Sequence, residues 1–374
     1  MKKSTMKFFV LSIGLLLVFM CTYLVHAADF ETQTEQDTVE QKRSGLIFLP
    51  ILGYTPETKM AGGAAVTFYF RAKGTEKTCR PSTLMPIFIY TQKKQIVSEL
   101  NADLYWKEET IHLTSNIGYM KFPDKFYGIG NHTSEDDEEE YTPRNAYFSF
   151  NLQKKIQKVF HAGILYEFTD SKMKEVEGGR SLAQKKILGS EGGTVSGAGI
   201  LMNWDTRDNI FCASSGRFYQ LSTSLFRDYL GSDYDFTRYT LDLRQYIPVV
   251  TSHAIALQGY MKVITGDPPF QMMSMLGGDS LMRGYYGGRY RHKNMVVVQT
   301  EYRLPLWWRF GLVGFLGFGD VSKDIEDFVL SDFKHSAGLG LRYFLNPEEK
   351  LNIRLDLAYG KDSSGFYITL FEAF

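Results

Sequence analysis

The sequence predicts an all-β protein, a sixteen-stranded antiparallel barrel that crosses a membrane with strands. Three observations carry this reading. Apolar and polar residues alternate with a period of two along most of the chain. The alternating segments run to about ten residues, the length a tilted strand needs to cross hydrocarbon. Their three long connections all follow odd-numbered segments, and those after even ones are mostly short, as in outer-membrane barrels with long outer loops and short periplasmic turns.

The chain has 374 residues, with 42 basic and 42 acidic side chains. Zero net charge argues against nucleic acid as a partner. Three cysteines are too few for a disulfide scaffold, and a 44% apolar, 15% aromatic chain is neither disordered nor collagen-like.

Residues 1–27 read as a secretory signal peptide. Lys2, Lys3 and Lys7 precede an apolar run from Phe8 to Val25, and Val25-His26-Ala27 offers a small-residue cleavage site. A retained anchor is the alternative, since the run is just long enough to span. Removing the segment takes three lysines and no acid, leaving 39 basic residues against 42 acidic ones. Residues 28–44 are a polar tail, rich in Gln, Glu and Thr.

The barrel domain is expected over 45–374. Its strands fall near 45–54, 59–72, 82–91, 94–105, 109–121, 144–155, 157–169, 191–205, 216–228, 234–247, 252–264, 294–305, 309–320, 335–345, 351–360 and 365–374. The clearest alternation is 351–359, with Leu351, Ile353, Leu355, Leu357 and Tyr359 on one face and Asn352, Arg354, Asp356 and Ala358 on the other. A membrane barrel turns the first face to lipid and the second to its lumen. The long connections are Lys121–Arg144, Thr169–Glu191 and Ile264–Asn294; Trp106–Glu109, Pro305–Arg309 and Leu345–Leu351 are short. Tyr54, Tyr105, Trp106, Tyr119, Phe122, Tyr246, Trp307 and Trp308 lie near strand ends, where aromatic girdles form. In the last strand Phe366, Ile368, Leu370 and Phe374 share one face, a C-terminal signal that Glu372 interrupts.

An ordered set of motifs follows. Gly277-Gly278-Asp279-Ser280-Leu281-Met282-Arg283-Gly284-Tyr285 is succeeded by Glu301-Tyr302-Arg303-Leu304-Pro305-Leu306 and by Phe318-Gly319-Asp320. Earlier, Trp204-Asp205-Thr206-Arg207-Asp208 runs to Gly216, and Pro50 is followed by Tyr54-Thr55-Pro56 and Gly62-Gly63. Together these resemble the barrel domain of the BamA/TamA superfamily, also called the bacterial surface antigen family, with its GG…RGY, E-x-R-x-P-L and F-x-D signatures.

The resemblance implies sixteen strands, an RGY loop between the eleventh and twelfth that folds into the lumen, and a site in the outer membrane. It implies that Arg283 meets inner-wall residues near Phe318 and Asp320, with Glu301 and Arg303 on the same inner face as Gln299. It implies a role in inserting or translocating protein or lipid. The implied partners are outer-membrane lipids and lipopolysaccharide, client polypeptides or lipids, and a separate periplasmic protein. That last partner would replace the periplasmic POTRA modules of full-length members, for which the tail before the first strand leaves no room. A passive pore plugged by the RGY loop and a structural surface barrel are the alternatives.

No catalytic residue, cofactor or metal is expected. Gly278-Asp279-Ser280-Leu281, with Asp332 and His335, spells a hydrolase string but lies deep in an all-β chain. The seven histidines show no paired ligand spacing. The acidic run Glu135–Glu140 reads as a solvated outer loop, with calcium as the alternative. Cys79 and Cys212 fall in turns too far apart for a disulfide.

Overall fold

In the computed structural model, residues 44–55, 59–70, 82–92, 94–176, 181–250, 252–347 and 350–374 are described. The signal segment, all but the last residue of the tail, and Cys79 lie outside them.

The chain opens with the hairpin β1 (Ser44–Thr55) and β2 (Lys59–Phe70), then β3 (Ser82–Thr91), β4 (Ile96–Trp106) and β5 (Ile111–Lys121). A three-residue β6 (Asp124–Phe126) precedes the long β7 (Glu139–Lys155) and β8 (Phe160–Val176). Then come β9 (Gly192–Asp205), β10 (Gly216–Phe226), β11 (Phe236–Pro248) and β12 (Ala254–Gly266). A small hairpin, β13 (Ser274–Leu276) with β14 (Tyr290–His292), stands apart. The sheet resumes with β15 (Asn294–Pro305), β16 (Phe310–Ser322), β17 (Lys334–Asn346), β18 (Leu351–Gly360) and β19 (Ser363–Leu370).

Seventeen of these strands form one antiparallel sheet in which each long strand ladders to the next. Each of the sixteen segments read from the sequence overlaps one of its strands; the seventeenth is β6, inside the Lys121–Arg144 connection. β1 is laddered to β2 and β19 to β18, and no register joins β1 to β19 among the described residues. No helix among the described residues is long and apolar enough to cross a membrane.

Alternation gives the sheet two unlike faces. One is an exposed apolar surface that includes Phe88, Ile117, Ile164, Val298, Leu316, Leu339 and Leu357. The other carries Glu301, Arg303, Arg342, Arg354 and Asp356, all buried. Charged groups are buried and large apolar groups exposed, the reverse of a water-soluble sheet, and this is the pattern hydrocarbon selects.

All four tryptophans lie at the end of the sheet where the short turns are. Trp106, Trp204, Trp307 and Trp308 are all exposed there. Phenylalanines such as Phe68, Phe88 and Phe318 are instead spread along the apolar face. Tyr246 is no girdle residue. It is buried on the charged face against Ala213, Ala256 and Phe374, because its even position in β11 shares the parity of Asp242 and Arg244.

Glu135–Asp137 form a short 3-10 turn capped by Ser134. The acidic run is not wholly solvated. Glu139 begins β7 and is buried, accepting bonds from the Ser181 and Leu182 amides and the Ser181 hydroxyl. Among the described residues no cluster of acidic, histidine and cysteine side chains is arranged to hold a metal ion.

Candidate functional site

The 267–293 connection between β12 and β15 lays its tip on the charged face of β15–β19. Gly277, Gly278 and Gly284 have φ values of 113°, 106° and 107°, a region that side chains other than glycine rarely adopt. At Gly284 a Cβ would also sit 2.9 Å from the Gly360 amide nitrogen. The backbone is fastened where it touches. The Gly284 amide donates to the Tyr367 hydroxyl at 2.9 Å, and the Ser363 hydroxyl donates to the Gly284 carbonyl at 2.7 Å. The Gln299 amide reaches the Ser280 carbonyl at 2.9 Å. Tyr285 is buried with Leu276, Met282, Met295, Val297 and Val321, and its hydroxyl donates to the His335 carbonyl at 2.9 Å.

Arg283 is the centre of the site. It is 2% exposed, and its two terminal nitrogens bind Glu301 and Asp356, each at 2.5 Å. Its guanidinium lies 3.6 Å from the ring centre of Phe315. The charges continue outward from there. Glu301 also binds Arg303 at 2.8 Å, and Asp356 also binds Arg342 at 2.6 Å. Arg342 Nε donates to Glu372 at 2.8 Å, and Arg354 lies 3.6 Å from Asp356. Such a network is stable only while its members are paired, because an uncompensated buried ion is costly.

The expected wall partners need correction. Glu301, Arg303 and Gln299 are buried together on the charged face. Phe318 does not; it is 52% exposed on the apolar face. The inward positions of β16 are odd-numbered, so Phe315 is the aromatic beneath Arg283. Asp320 is buried but serves a different contact, accepting from Asn131 at 3.0 Å and Lys334 at 3.3 Å among the outer loops. The second carboxylate for Arg283 is Asp356, already placed on the polar face by the 351–359 alternation but not linked to the loop.

A second correction concerns the chain end. β19 stops at Leu370, and Phe371 has a φ of 64°. That turn removes Glu372 and Phe374 from the strand, so Phe374 does not share a face with Phe366 and Ile368. Phe374 is buried against Tyr246, Ala213 and Ala256, and its main-chain oxygen accepts from Arg303 at 2.8 Å. Glu372 does not interrupt an apolar face. It is 2% exposed at its side chain and accepts from Arg342 and, at 2.9 Å, from Asn352.

The 206–215 turn, with its expected motif, closes over the same region. Asp205 chelates Arg207 through two nitrogens, at 3.0 and 2.7 Å. Asp208 accepts from the Ser214 and Ser215 amides, the Ser214 hydroxyl and Lys350. Burial alone would raise the Asp208 carboxyl; those bonds outweigh it and hold the group well below the usual carboxylate range. Gly216 has a φ of 94°, and a Cβ there would overlap the Thr206 carbonyl. Gly216→Ala is therefore expected to cost about 1–3 kcal/mol, read as a lowered thermal midpoint of the purified protein.

The turn touches the chain end directly. Phe211 stacks on Phe371 with ring centres 5.0 Å apart, the Ala213 carbonyl accepts from Arg303 at 2.9 Å, and Cys212 Sγ lies 3.6 Å from Glu372. Burial, then the Glu372 carboxylate, pushes the Cys212 thiol up to about 12. The charge network is thus held from one side by the RGY loop and from the other by the last four residues and this turn.

The hydrolase string is not assembled. The Ser280 hydroxyl donates to Asp279 at 3.2 Å, Asp332 faces His132 at 3.3 Å, and His335 is exposed.

Residues 89–370 match the family model of the Omp85 superfamily domain. No curated protein matches the chain in sequence. Among solved structures, BamA from Haemophilus ducreyi lacking POTRA domains 1–3 is similar at 15% identity and a TM-score of 0.59, over 90% of this chain and 73% of that one. CdiB from Escherichia coli gives 9% identity and 0.58, over 89% and 62%; CdiB from Acinetobacter baumannii gives 11% and 0.55, over 88% and 59%. The chain therefore spans less than two thirds of either CdiB chain. At these identities the likeness is one of fold.

Proposed function

The chain belongs to the Omp85 superfamily, and on that premise we propose that it is a sixteen-stranded outer-membrane barrel that inserts or translocates protein or lipid by opening a seam between β1 and β19. Export uses residues 1–27 as a cleaved signal. The charged face becomes the lumen, the RGY loop the inserted segment that braces its wall, and the apolar face the lipid contact. The clients are polypeptides or lipids at the outer membrane, delivered by a separate periplasmic partner.

One observation supports the seam most strongly. β1 has twelve residues and β19 eight, and beyond Leu370 the chain turns onto Arg342 and Arg303 instead of continuing along the edge. A strand edge in hydrocarbon is unstable until its amides and carbonyls are paired, so a short, easily parted seam favours an incoming strand as a substitute partner. Arg283, bound to β15 and β18, keeps the wall next to that seam rigid.

Depletion of the protein, followed by profiling of outer-membrane proteins and lipids, tests the reading. Loss of particular barrel proteins or a changed lipid composition is expected; an unaltered outer membrane contradicts it. A passive pore is the second reading, supported by the burial of Arg283 and Tyr285 at the tip of the loop that would plug it. Conductance that rises on deletion of 277–290, with an unchanged outer-membrane profile, would favour the pore.

A further inference from the structure

The charged face does not extend around the whole sheet. Register places Ala61, Gly63, Ala65 and Tyr69 of β2 beside Thr91, Ile89, Ile87 and Thr83 of β3. Ile51 of β1 pairs with Gly63. These positions, with Thr67 and Met85, share one face, and none carries a charge. The change is abrupt at β4, where Met85 pairs with Asn101, Ile87 with Glu99 and Thr83 with Asp103. From there on the face is polar, with Glu99 bound to Tyr147 and Asp103 to His112.

The interior of a membrane barrel is ordinarily polar. Here the opposite surface of the same strands is apolar as well, with Leu46, Phe48, Phe68 and Phe88 exposed. β1 to β3 are therefore apolar on both sides. No residue of β1, β2 or β3 joins a buried apolar cluster, and the RGY loop's hydrogen bonds and ion pairs with the sheet, among the described residues, fall on β6 and β15–β19. Burying such a surface is favourable by about 25 cal/mol per Å², so an apolar occupant is stabilised there.

We infer that this inner lane on β1–β3 binds the acyl chains of a membrane phospholipid that enters around the edge of β1. When the seam beside β1 parts, the lipid-covered outer surface becomes continuous with the lane across that edge. The edge is most open where β19 ends, because Phe371 to Phe374 turn away from it. The dimensions suit the ligand. Nine residues from Ala61 to Tyr69 span roughly 30 Å at 3.3 Å per residue, and three strands about 4.8 Å apart make a lane wide enough for two chains. The hydrocarbon core is also about 30 Å thick. Between Ala61 and Tyr69 the lane carries no cation, so the acyl chains and not the phosphate supply the contact. The inference rests on the outer-membrane barrel reading and adds phospholipid as a ligand.

The full-length barrel in phospholipid vesicles, carrying a photoreactive benzoylphenylalanine at single positions, tests this. Ile87 and Ile89 probe the lane, Phe88 the outer surface, and Asn101 the polar wall. Phospholipid adducts at Ile87 and Ile89 should match those at Phe88 and exceed those at Asn101 by more than about tenfold, the ratio that 1.4 kcal/mol of preference for hydrocarbon gives. Adducts at Phe88 alone, or polypeptide adducts at Ile87, overturn the inference. The two readings fail separately. Missing lane adducts in a barrel that still inserts clients end the lane alone, whereas lane adducts in a barrel whose depletion leaves the outer membrane unaltered end only the insertion reading.

Discussion

Arg283→Ala is expected to cost about 3–5 kcal/mol of stability and to open the 277–290 segment to protease. The residue is buried and binds two carboxylates that are themselves fully buried, so its removal leaves Glu301 and Asp356 facing each other with half their compensation gone. Burial gives them no water to replace it. Arg283→Lys should recover little, because one ammonium cannot span two carboxylates and lie flat on Phe315 at the same time. Asp356→Ala should expose the loop as Arg283→Ala does, while Asp320→Ala leaves it protected, since Asp320 binds Asn131 and Lys334 instead. Equal protection of 277–290 in Arg283→Ala and wild type would show that the glycine turns and Tyr285 hold the loop without the ion pairs.

Arg342→Ala should have an effect of similar size, about 3–5 kcal/mol, but at the other side of the network. Arg342 joins Asp356 to Glu372, and Glu372 is the side chain that ties the chain end inward. Without it, 371–374 should leave the charged face and uncover Cys212. The wild-type thiol is protonated at neutral pH, raised to about 12 by burial and by Glu372, and should resist maleimide. Labelling should appear in Arg342→Ala, and an unreactive Cys212 there would mean that Arg303 and the Phe211–Phe371 stack suffice to hold the chain end. The two arginine substitutions share Asp356, so the double variant's destabilisation should depart from the sum of the two single effects.

Much of this was legible in the sequence because a sheet with a period of two writes its faces directly. The alternation at 351–359 separated Arg354 and Asp356, both buried, from Leu357, which is exposed, although Leu355 on that apolar face is half-buried and Ile353 is buried. The GG…RGY motif located the loop, and Glu301 could be paired with it by charge. The errors share one cause. Parity ties a residue to a face but says nothing about which distant strand lies opposite, so it points to Asp320, nearer in sequence, and not to Asp356, two strands further on. Phe318 shares parity with Asp320, which suggests an inward position for both, but the outer loops bury Asp320 by another route. The alternation of Phe366, Ile368 and Phe374 predicts strand to the chain end; the turn at Phe371 depends on Arg342 and Arg303, which no local pattern reports.

The seam decides the account. Cysteine pairs scanned along β1 and β19 and oxidised in the assembled outer membrane would lock it. Locked barrels should accumulate normally, fail to support client insertion, and recover when the disulfide is reduced. Full activity in a barrel locked along its whole seam would contradict it.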